Sequence, residues 1–512
     1  MDRKWWTLGA VCVGTFMLLL DLTIVNVALP QIERSFGASL SDLQWVIDAY
    51  ALTLAALLLT SGSLADRLGR RIVFAVGLVI FTLGSLLCGV STDALFIILA
   101  RAFQGIGGAV MFATSLALLA NAFQGRERGT AFAVYGAVTG LAVAVGPVLG
   151  GVITSGLTWR WIFFVNIPIG AVALAITLLK VDESKVQHPG RMDWVGFATF
   201  SLALAALVYG LIESGRDGWG SNSVIGPLVF AGVLFVIFYL AEVRQSHPML
   251  DLSLLRLPTF TGGLVAAFGM NAGLFALFTY LIIYMQNVLG LSAVATGVRF
   301  LLLTGAMFAT AGFAGRLTNS MPIRWLIAPG FVLVGVGLLL MGGITPASSW
   351  THLIAGLVIS GVGAGFINVP LASTAVGVVE PARAGMASGI NSTFRQVGTA
   401  TGIAALGSIF ASTVRSQVAS HLDATSLRPL AHSIANSVAA GGGAPAGTPA
   451  AGASVVRPIA LSGFVTGLND ILEIGAVLSF LAAVACVFLI RQKDFHAAAS
   501  GQSSVREPAV LA

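Results

Sequence analysis

The stretch GSLADRLGRRIVF, Gly62–Phe74, separates two long apolar runs and contains two glycines, one aspartate and three arginines. Glycine allows the tight turn that a chain needs between adjacent helices. The charges can pair with each other or bind the ends of neighbouring helices. A basic loop that only orients the protein in a membrane is the alternative interpretation. The spacing of these residues favours a specialised loop.

The chain on either side of this loop is too apolar for a soluble protein. Of its 512 residues, 57% are hydrophobic and 9% are charged, whereas soluble domains carry about 25% charged residues. Crossing a bilayer takes about 20 apolar residues in a helix. Runs of this length or more without Asp, Glu, Lys or Arg are Ile72–Thr92, Gly129–Trp159, Trp161–Leu179, Trp194–Ile212, Gly218–Ala241, Leu257–Val298 and Trp325–Val379. The sequence therefore predicts an all-α polytopic membrane protein.

Division of the chain at charged and Pro/Gly-rich positions predicts fourteen transmembrane helices. They begin near Thr7, Gln44, Ile72, Ala94, Gly129, Trp161, Trp194, Ser223, Phe260, Val294, Ile323, His352, Ala384 and Gly463. Arg299 and Arg395 interrupt the tenth and the thirteenth. We interpret the N-terminal apolar segment as an uncleaved first helix, because further spans follow it.

The distribution of basic residues predicts the orientation. The loops and ends on the side of the N-terminus hold 17 of them and the other side holds 7. Since such residues concentrate on the cytoplasmic side, we expect both termini in the cytoplasm. Arginine outnumbers lysine by 23 to 4, which suggests a GC-rich bacterial genome. The predicted location is the bacterial cytoplasmic membrane.

Glycines reveal an internal repeat. Five pairs in corresponding predicted helices share the offset of 256 residues: Gly105/Gly361, Gly107/Gly363, Gly129/Gly385, Gly146/Gly402 and Gly151/Gly407. Duplicated halves are common in secondary transporters. An offset of this size holds about eight spans, so the simplest organisation is two six-helix halves separated by an inserted helix pair.

The predicted domains follow from this organisation. They are an N-terminal half (1–181), an inserted pair with its flanking loops (182–256), a C-terminal half (257–495) and a cytoplasmic tail (496–512). We expect an external loop at 416–461, because its centre, Ala439–Ser454, is rich in Gly, Ala and Pro.

Several charged residues lie inside apolar runs, where a charge costs about 2.5–3.5 kcal/mol on insertion scales. Asp21 lies in TFMLLLDLTIVNVALP, Thr15–Pro30, and Asp48 lies early in the second helix. Burial favours the protonated acid, whereas a nearby cation favours the carboxylate, so such a group can load and release a proton. A structural hydrogen bond is the alternative for Asp21, and a position at the membrane interface is the alternative for Asp48.

Arg101 opens the fourth helix in LARAFQGIGGAV, Leu99–Val110. A buried arginine of this kind is usually paired or faces a cavity, and snorkelling to the interface is the alternative. Two further acids, Asp470 and Glu473, are predicted early in the last helix.

The fifth helix contains GAVTGLAVAVGPVLGG, Gly136–Gly151, with two G-x-x-x-G pairs that permit close helix contact. Pro147 predicts a bend within it. Tight packing alone is sufficient to explain these glycines.

These motifs resemble those of the major facilitator superfamily. The Gly62–Phe74 loop is similar to the family signature between helices 2 and 3, and AGRL, Ala314–Leu317, is a reduced second copy. The fifth-helix segment resembles the antiporter motif of exporters. Together with LDLTIVNVALP, WRWIFFVNIPIG at Trp159–Gly170 and fourteen helices, the whole chain resembles the 14-helix drug:proton antiporter family.

The resemblance implies roles for particular residues. Proton coupling is expected at Asp21, Arg101 and Asp48. A conformational switch is expected at Gly62, Asp66, Arg67, Gly69 and Arg70. The antiporter motif comprises Gly146, Pro147, Gly150 and Gly151. Candidate residues for a substrate cavity are Phe16, Asn26, Trp45, Tyr50, Gln104, Tyr280 and Tyr284, with lipid contact or core packing as the alternative for each aromatic residue.

The expected function is proton-coupled antiport that exports small amphiphilic or cationic compounds by alternating access, as in multidrug efflux. The alternative on the same fold is a dedicated exporter of one endogenous metabolite, lipid or siderophore. A membrane enzyme or sensor is disfavoured by the duplication, the fifth-helix motif and the lack of any catalytic cluster. The sequence has no Walker A, HExxH or nucleophile-elbow motif, so we do not expect bound ATP to supply the energy. We expect no cofactor, no catalytic residues, no metal site, no nucleic-acid partner and a monomer that binds substrate, protons and lipid.

Overall fold

The computed structural model describes residues 2–123, 125–184, 193–245, 252–318, 321–379, 384–422, 430–439 and 450–499. Fourteen long helices follow one another in these ranges. They are α1 Arg3–Phe36, α2 Leu40–Leu68, α3 Arg70–Gly89, α4 Ala94–Ala122, α5 Gly125–Gly156, α6 Trp161–Lys180, α7 Trp194–Asp217, α8 Asn222–Arg244, α9 Pro258–Val288, α10 Ala293–Leu317, α11 Arg324–Met341, α12 Ile354–Val376, α13 Ala384–Leu422 and α14 Ala450–Leu489.

The all-α fold class is confirmed, and the number of spans agrees approximately. Twelve helices of the described chain are long and apolar enough to cross a membrane. Helix α5 is bent by 41° between its two parts, Val134–Ala142 and Val145–Gly156, and makes a thirteenth span if they form one. This bend lies just before Pro147, whose ring displaces the carbonyl four residues earlier. Helix α2, with 29 residues, is not among these twelve or thirteen candidate spans.

Polar side chains and glycines determine where several helices begin and end. Ser39 and Asp42 form a capping box at the start of α2, and such a cap contributes about 1 kcal/mol. The Asp93 carboxylate accepts the Phe96 amide at 2.8 Å and so begins α4. Gly37 ends α1 with φ +61°, a conformation that glycine adopts without strain.

The bundle has two ends, which contacts between helix termini define. At the terminal face, where α1 begins and α14 ends, Lys4 binds Glu127 at the start of α5 at 2.9 Å. At the opposite face, where α1 ends and α2 begins, the Trp159 indole donates to Ser35 at 3.0 Å. Consecutive helices therefore run in alternating directions between the two faces.

Glycines of the repeat occupy equivalent helix crossings. A Cβ atom at Gly105 of α4 would lie 2.0 Å from Thr53 of α2, and one at Gly361 of α12 would lie 2.3 Å from Leu303 of α10. Gly107 and Gly363 approach α3 and α11 in the same way, and Gly146 and Gly402 approach α1 and α9. This correspondence is what an internal duplication predicts, because each half uses the same crossings.

The helices α7 and α8 pack on the side of the bundle. Leu204, Val208 and Ile212 of α7 form a buried cluster with alanines of α2 and α13. Many apolar residues of α8, Phe230 and Val236 among them, are exposed. In a membrane this surface contacts lipid.

The expected external loop at 416–461 is wrong in its described parts, which are helical. Helix α13 continues to Leu422, a short helix spans Ala431–Ala439, and α14 begins at Ala450. The many alanines of this segment are strong helix formers and outweigh its glycines and prolines. As a consequence, Asp470 and Glu473 lie near the middle of α14 and not early in it. Residues 423–429, 440–449 and 500–512 lie outside the described residues.

Candidate functional site

Asp21 and Arg101 form a buried ion pair between α1 and α4. Arg101 Nη1 donates a hydrogen bond to Asp21 Oδ2, and the side chains of both residues are 1% exposed or less. Asp21 lies near the middle of α1, far from both faces. Snorkelling of Arg101 is therefore excluded. The structure brings together the acidic and the basic side chain that the sequence placed inside apolar runs.

Further contacts hold the guanidinium of Arg101 in one orientation. Its Nη1 donates to Gln104 Oε1 at 2.8 Å and its Nε donates to the Val46 carbonyl of α2 at 3.1 Å. The guanidinium carbon lies 4.2 Å from the centroid of the Tyr50 ring, a cation–π contact. Arg101 thus links α1, α2 and α4.

The other oxygen of Asp21 is bound by two amides. Gln104 Nε2 donates to Asp21 Oδ1 at 3.1 Å, and Asn166 Nδ2 of α6 donates to it at 3.3 Å. Asn166 also donates to Ser85 of α3 at 2.9 Å. Sequence reasoning assigned no role to Asn166 or Ser85. The available signal was the amide side chain within the apolar run of α6.

Asp48 occupies a different environment from that of Asp21. It is fully buried, which removes the alternative of a position at the interface. Neither carboxylate oxygen has a hydrogen-bond partner among the described residues. An unpartnered buried carboxylate is costly, and a neutral acid reduces that cost. The hydrogen bonds of Asp21 involve α4 and α6, not Asp48.

The helices α2, α9 and α13 meet at a seam between the two halves. Gln44 Nε2 of α2 donates to the Tyr280 hydroxyl of α9 at 3.0 Å, which donates to the Ile403 carbonyl of α13 at 3.0 Å. Gly407 lies against this pair, where a Cβ atom would be 1.6 Å from Gln44 Nε2. The seam lies in the opposite-face part of the bundle, since α2 begins at that face.

Two more helix pairs, α1–α9 and α5–α10, join the halves at the same end. Thr279 of α9 donates to Asn26 Oδ1 of α1 at 3.1 Å, and Gln286 Nε2 donates to the Val27 carbonyl at 3.0 Å. Gly151 of α5 lies so close to α10 that a Cβ atom would be 2.6 Å from the Ala293 carbonyl. The opposite face is therefore closed by α1–α9, α2–α13 and α5–α10.

The antiporter-motif glycines connect α5 to α1. A Cβ atom at Gly146 would lie 1.9 Å from Thr23 Oγ1, and one at Gly150 would lie 3.0 Å from the Ile24 carbonyl. On the other side, Gly297 of α10 lies against the Pro147 carbonyl, which a Cβ atom would approach to 2.2 Å. The motif thus packs one half against the other beside the Asp21 helix.

The loop between α2 and α3 is anchored by residues after α6. Gly69 has φ +110°, and a Cβ atom there would lie 2.6 Å from the Glu183 carboxyl group. Glu183 accepts the backbone amides of Arg71 at 3.0 Å and Ile72 at 3.2 Å, at the start of α3. An acid at a helix N-terminus is favourable. Sequence reasoning missed Glu183. The only indication of its role in the sequence was its position shortly after an apolar run.

The remaining switch residues have separate placements. The Arg70 amide donates to the Ser184 carbonyl at 2.9 Å. Two side-chain nitrogens of Arg67 are buried without a partner among the described residues. Within the part of the chain that the structure describes, no atom outside its own helix lies near the Cβ position of Gly62. The side chain of Asp66 lies outside the described residues.

The candidate cavity residues do not form one surface. Trp45 packs beside Tyr209 of α7, with ring centroids 6.2 Å apart, in an apolar groove on the side of the bundle. Its predicted place between the halves is therefore wrong, because the inserted pair covers this face of α2. Tyr50 and Gln104 belong to the Arg101 cluster, and Tyr284 stacks on Phe464 of α14. Phe16 and Asn26 of α1 stay partly exposed.

Comparisons with known proteins agree with the motifs. Residues 11–403 match the model of the Major Facilitator Superfamily. The chain is 36% identical over 418 residues to multidrug resistance protein Stp of Mycobacterium tuberculosis, covering 81% of this chain and 78% of that protein. It is 33% identical over 503 residues to the tetracenomycin C resistance and export protein of Streptomyces glaucescens, covering 95% and 91%.

A solved structure shows the same fold. It is that of a bacterial homologue of the human lysosomal transporter Spinster, in an inward-facing and occupied conformation. The TM-score is 0.66 at 15% identity, covering 96% of this chain and 98% of that one.

Proposed function

Because the chain belongs to the Major Facilitator Superfamily, we propose that it is a proton-coupled antiporter that exports small amphiphilic or cationic compounds across the bacterial cytoplasmic membrane. Its relatives named above are a multidrug resistance protein and an antibiotic resistance and export protein. The observation that carries the proposal is the buried pair of Asp21 and Arg101. An ionisable acid in the membrane interior is costly and marks a functional site.

The surroundings of Asp21 make its proton affinity depend on helix positions. The Arg101 guanidinium favours the carboxylate, and separation from it favours the protonated acid. All the groups that bind Asp21 belong to α4 and α6. A shift of α1 relative to these helices therefore changes proton binding.

The contacts between the halves close the opposite face. With the termini in the cytoplasm, as the basic residues predict, this closed face is the outer side. Substrate enters from the cytoplasm as Asp21 releases its proton. In the outward-open state, proton entry displaces the substrate. Each proton contributes about 2.3 kcal/mol per 100 mV of membrane potential.

The test is proton flux in proteoliposomes of the full-length protein with an internal pH dye. Rhodamine 123 added to wild-type vesicles should produce a proton flux, and Asp21→Asn should abolish it while retaining dye binding. Asp182→Asn is the matched control, because Asp182 pairs with Arg3 at the exposed terminal face. Wild-type proton flux in Asp21→Asn would show that Asp21 is not the coupling acid.

Proton flux in the same vesicles tests whether Asp48 takes part in proton coupling. If Asp48 carries a second proton, Asp48→Asn should lower the number of protons moved per dye molecule without stopping export. An unchanged ratio would assign proton coupling to Asp21 alone.

A further inference from the structure

A second arginine, Arg395, lies deep in the bundle. It stands eleven residues after the start of α13 (Ala384–Leu422), about 16 Å from the terminal face at 1.5 Å per residue. Helix α13 is surrounded by α2, α7, α9, α12 and α14. The side chain retains partial exposure, and neighbouring helices separate it from lipid, so it faces the interior of the transporter.

The contacts of Arg395 are with neutral groups. Its Nη1 donates to Asn368 Oδ1 of α12 at 3.1 Å, and its Nε donates to Asn391 Oδ1 at 3.4 Å. Within the described residues, no ion pair within 4.0 Å includes Arg395. Arg101, by contrast, is paired with Asp21. Arg395 therefore carries a charge in the membrane interior without a protein counter-ion in the described chain.

A residue of the other half approaches the same place. Tyr135 of α5 lies close enough to Arg395 for direct electrostatic interaction. Tyr135 stands ten residues after the start of α5 (Gly125–Gly156), at nearly the same depth as Arg395. Its buried hydroxyl lies near Thr15 but has no hydrogen-bond partner within 3.5 Å among the described residues. A hydroxyl donor and an uncompensated cation of opposite halves thus lie at similar depth, within electrostatic range of each other.

We propose that Arg395, Asn368 and Tyr135 bind an anionic group of the exported compound, such as a carboxylate or an ionised phenol. This inference rests on the proposed export function and makes amphiphiles or zwitterions that carry a negative charge the preferred substrates. A guanidinium presents five N–H donors and binds a carboxylate through two of them. The ligand supplies the counter-ion that the described chain lacks, and separation of the two halves releases it.

The test compares two dyes that share one ring system. Rhodamine 110 has a free carboxylate, and rhodamine 123 is its methyl ester. Binding to the full-length protein in detergent is measured by fluorescence polarisation. Wild type should bind rhodamine 110 more tightly. Arg395→Gln should weaken rhodamine 110 binding about tenfold or more, because a charged hydrogen bond is lost, and change rhodamine 123 binding less than about twofold. Arg395→Lys should keep the preference for the acid.

Arg299→Gln is the control, since Arg299 stacks on Trp350 at 4.4 Å near the opposite face. It should leave both affinities unchanged. Equal binding of the two dyes by wild type, or a parallel loss of both in Arg395→Gln and Arg395→Lys, would overturn the anion site. If Arg395→Gln does not fold, Asn368→Ala and Tyr135→Phe carry the test, and each should weaken the acid selectively.

The two proposals fail in different ways. Equal affinity for both dyes, with proton flux intact in vesicles, contradicts only the anion site. Selective binding of the acid, with no proton flux from either dye, contradicts only proton coupling.

Discussion

The Thr23 hydroxyl of α1 occupies the space that a Cβ atom at Gly146 of α5 would need, with 1.9 Å between Oγ1 and that position. Thr23 follows Asp21 by two residues on the same helix. Helix α5 therefore lies directly against the helix that carries Asp21, and α5 cannot slide past α1 without moving it.

Gly146→Ala should reduce export at least about tenfold, because the added methyl group forces α1 and α5 apart. Overpacking of this kind costs about 1–3 kcal/mol. The measurement is dye efflux from vesicles together with thermal unfolding. Gly136→Ala in the same helix is the control, since no atom of the described residues lies within 4 Å of its Cβ position.

A second substitution tests the contact itself. Thr23→Ala removes the clashing oxygen, so the double variant Gly146→Ala/Thr23→Ala should recover part of the lost export. If the double variant is no better than Gly146→Ala, the loss arises elsewhere than at this contact.

Gly407→Ala should open the closed seam at the opposite face. Its Cβ atom would lie 1.6 Å from Gln44 Nε2 and 2.3 Å from the Tyr280 hydroxyl, so the Gln44–Tyr280 hydrogen bond cannot persist. Distances between spin labels at the opposite-face ends of α2 and α13 should lengthen. Gly305→Ala, where space is open, should leave them unchanged. Gln44→Ala in the Gly407→Ala background should restore the short distance, and an equally closed seam in Gly407→Ala would contradict the prediction.

Glu183→Gln should loosen the start of α3. Its carboxylate accepts the amides of Arg71 and Ile72, and removal of the charge weakens this cap by about 0.3–1 kcal/mol. Hydrogen exchange at these two amides should rise severalfold. Asp182→Asn, one residue earlier, should leave their exchange unchanged, and equal effects of the two variants would argue against a specific anchor.

Asp21→Ala and Arg101→Ala should each destabilise the protein by about 3–5 kcal/mol, because each leaves a buried charge without its partner. The double variant should cost less than the sum by at least about 1 kcal/mol. The free energy of unfolding in mixed micelles measures this coupling. Additive losses would mean that the two side chains do not stabilise each other.

Much of the site was predictable from residue type and position. Asp21 and Arg101 are charges in apolar runs, which requires a partner or a cavity. Asn166 and Glu183 could not be assigned in the same way. An amide within a span and an acid after one are common, and only their distance to Asp21 or to the start of α3 gives them a role.

Packing also decided which aromatic residues face which partner. Trp45 and Tyr50 are five residues apart on α2, which places them about 140° apart around the helix axis, so they point in different directions. One contacts the inserted pair and the other contacts Arg101. The sequence alone does not state which helix lies on each side of α2.

The sequence by itself determined the membrane class, the helical fold and the family, because hydrophobic length and short motifs are local properties of the chain. The tertiary structure decided that Asp21 meets Arg101, that Arg395 lacks an acidic partner in the described chain, and that the opposite face is closed. These are relations between residues on different helices, and helix packing alone sets the distances between them.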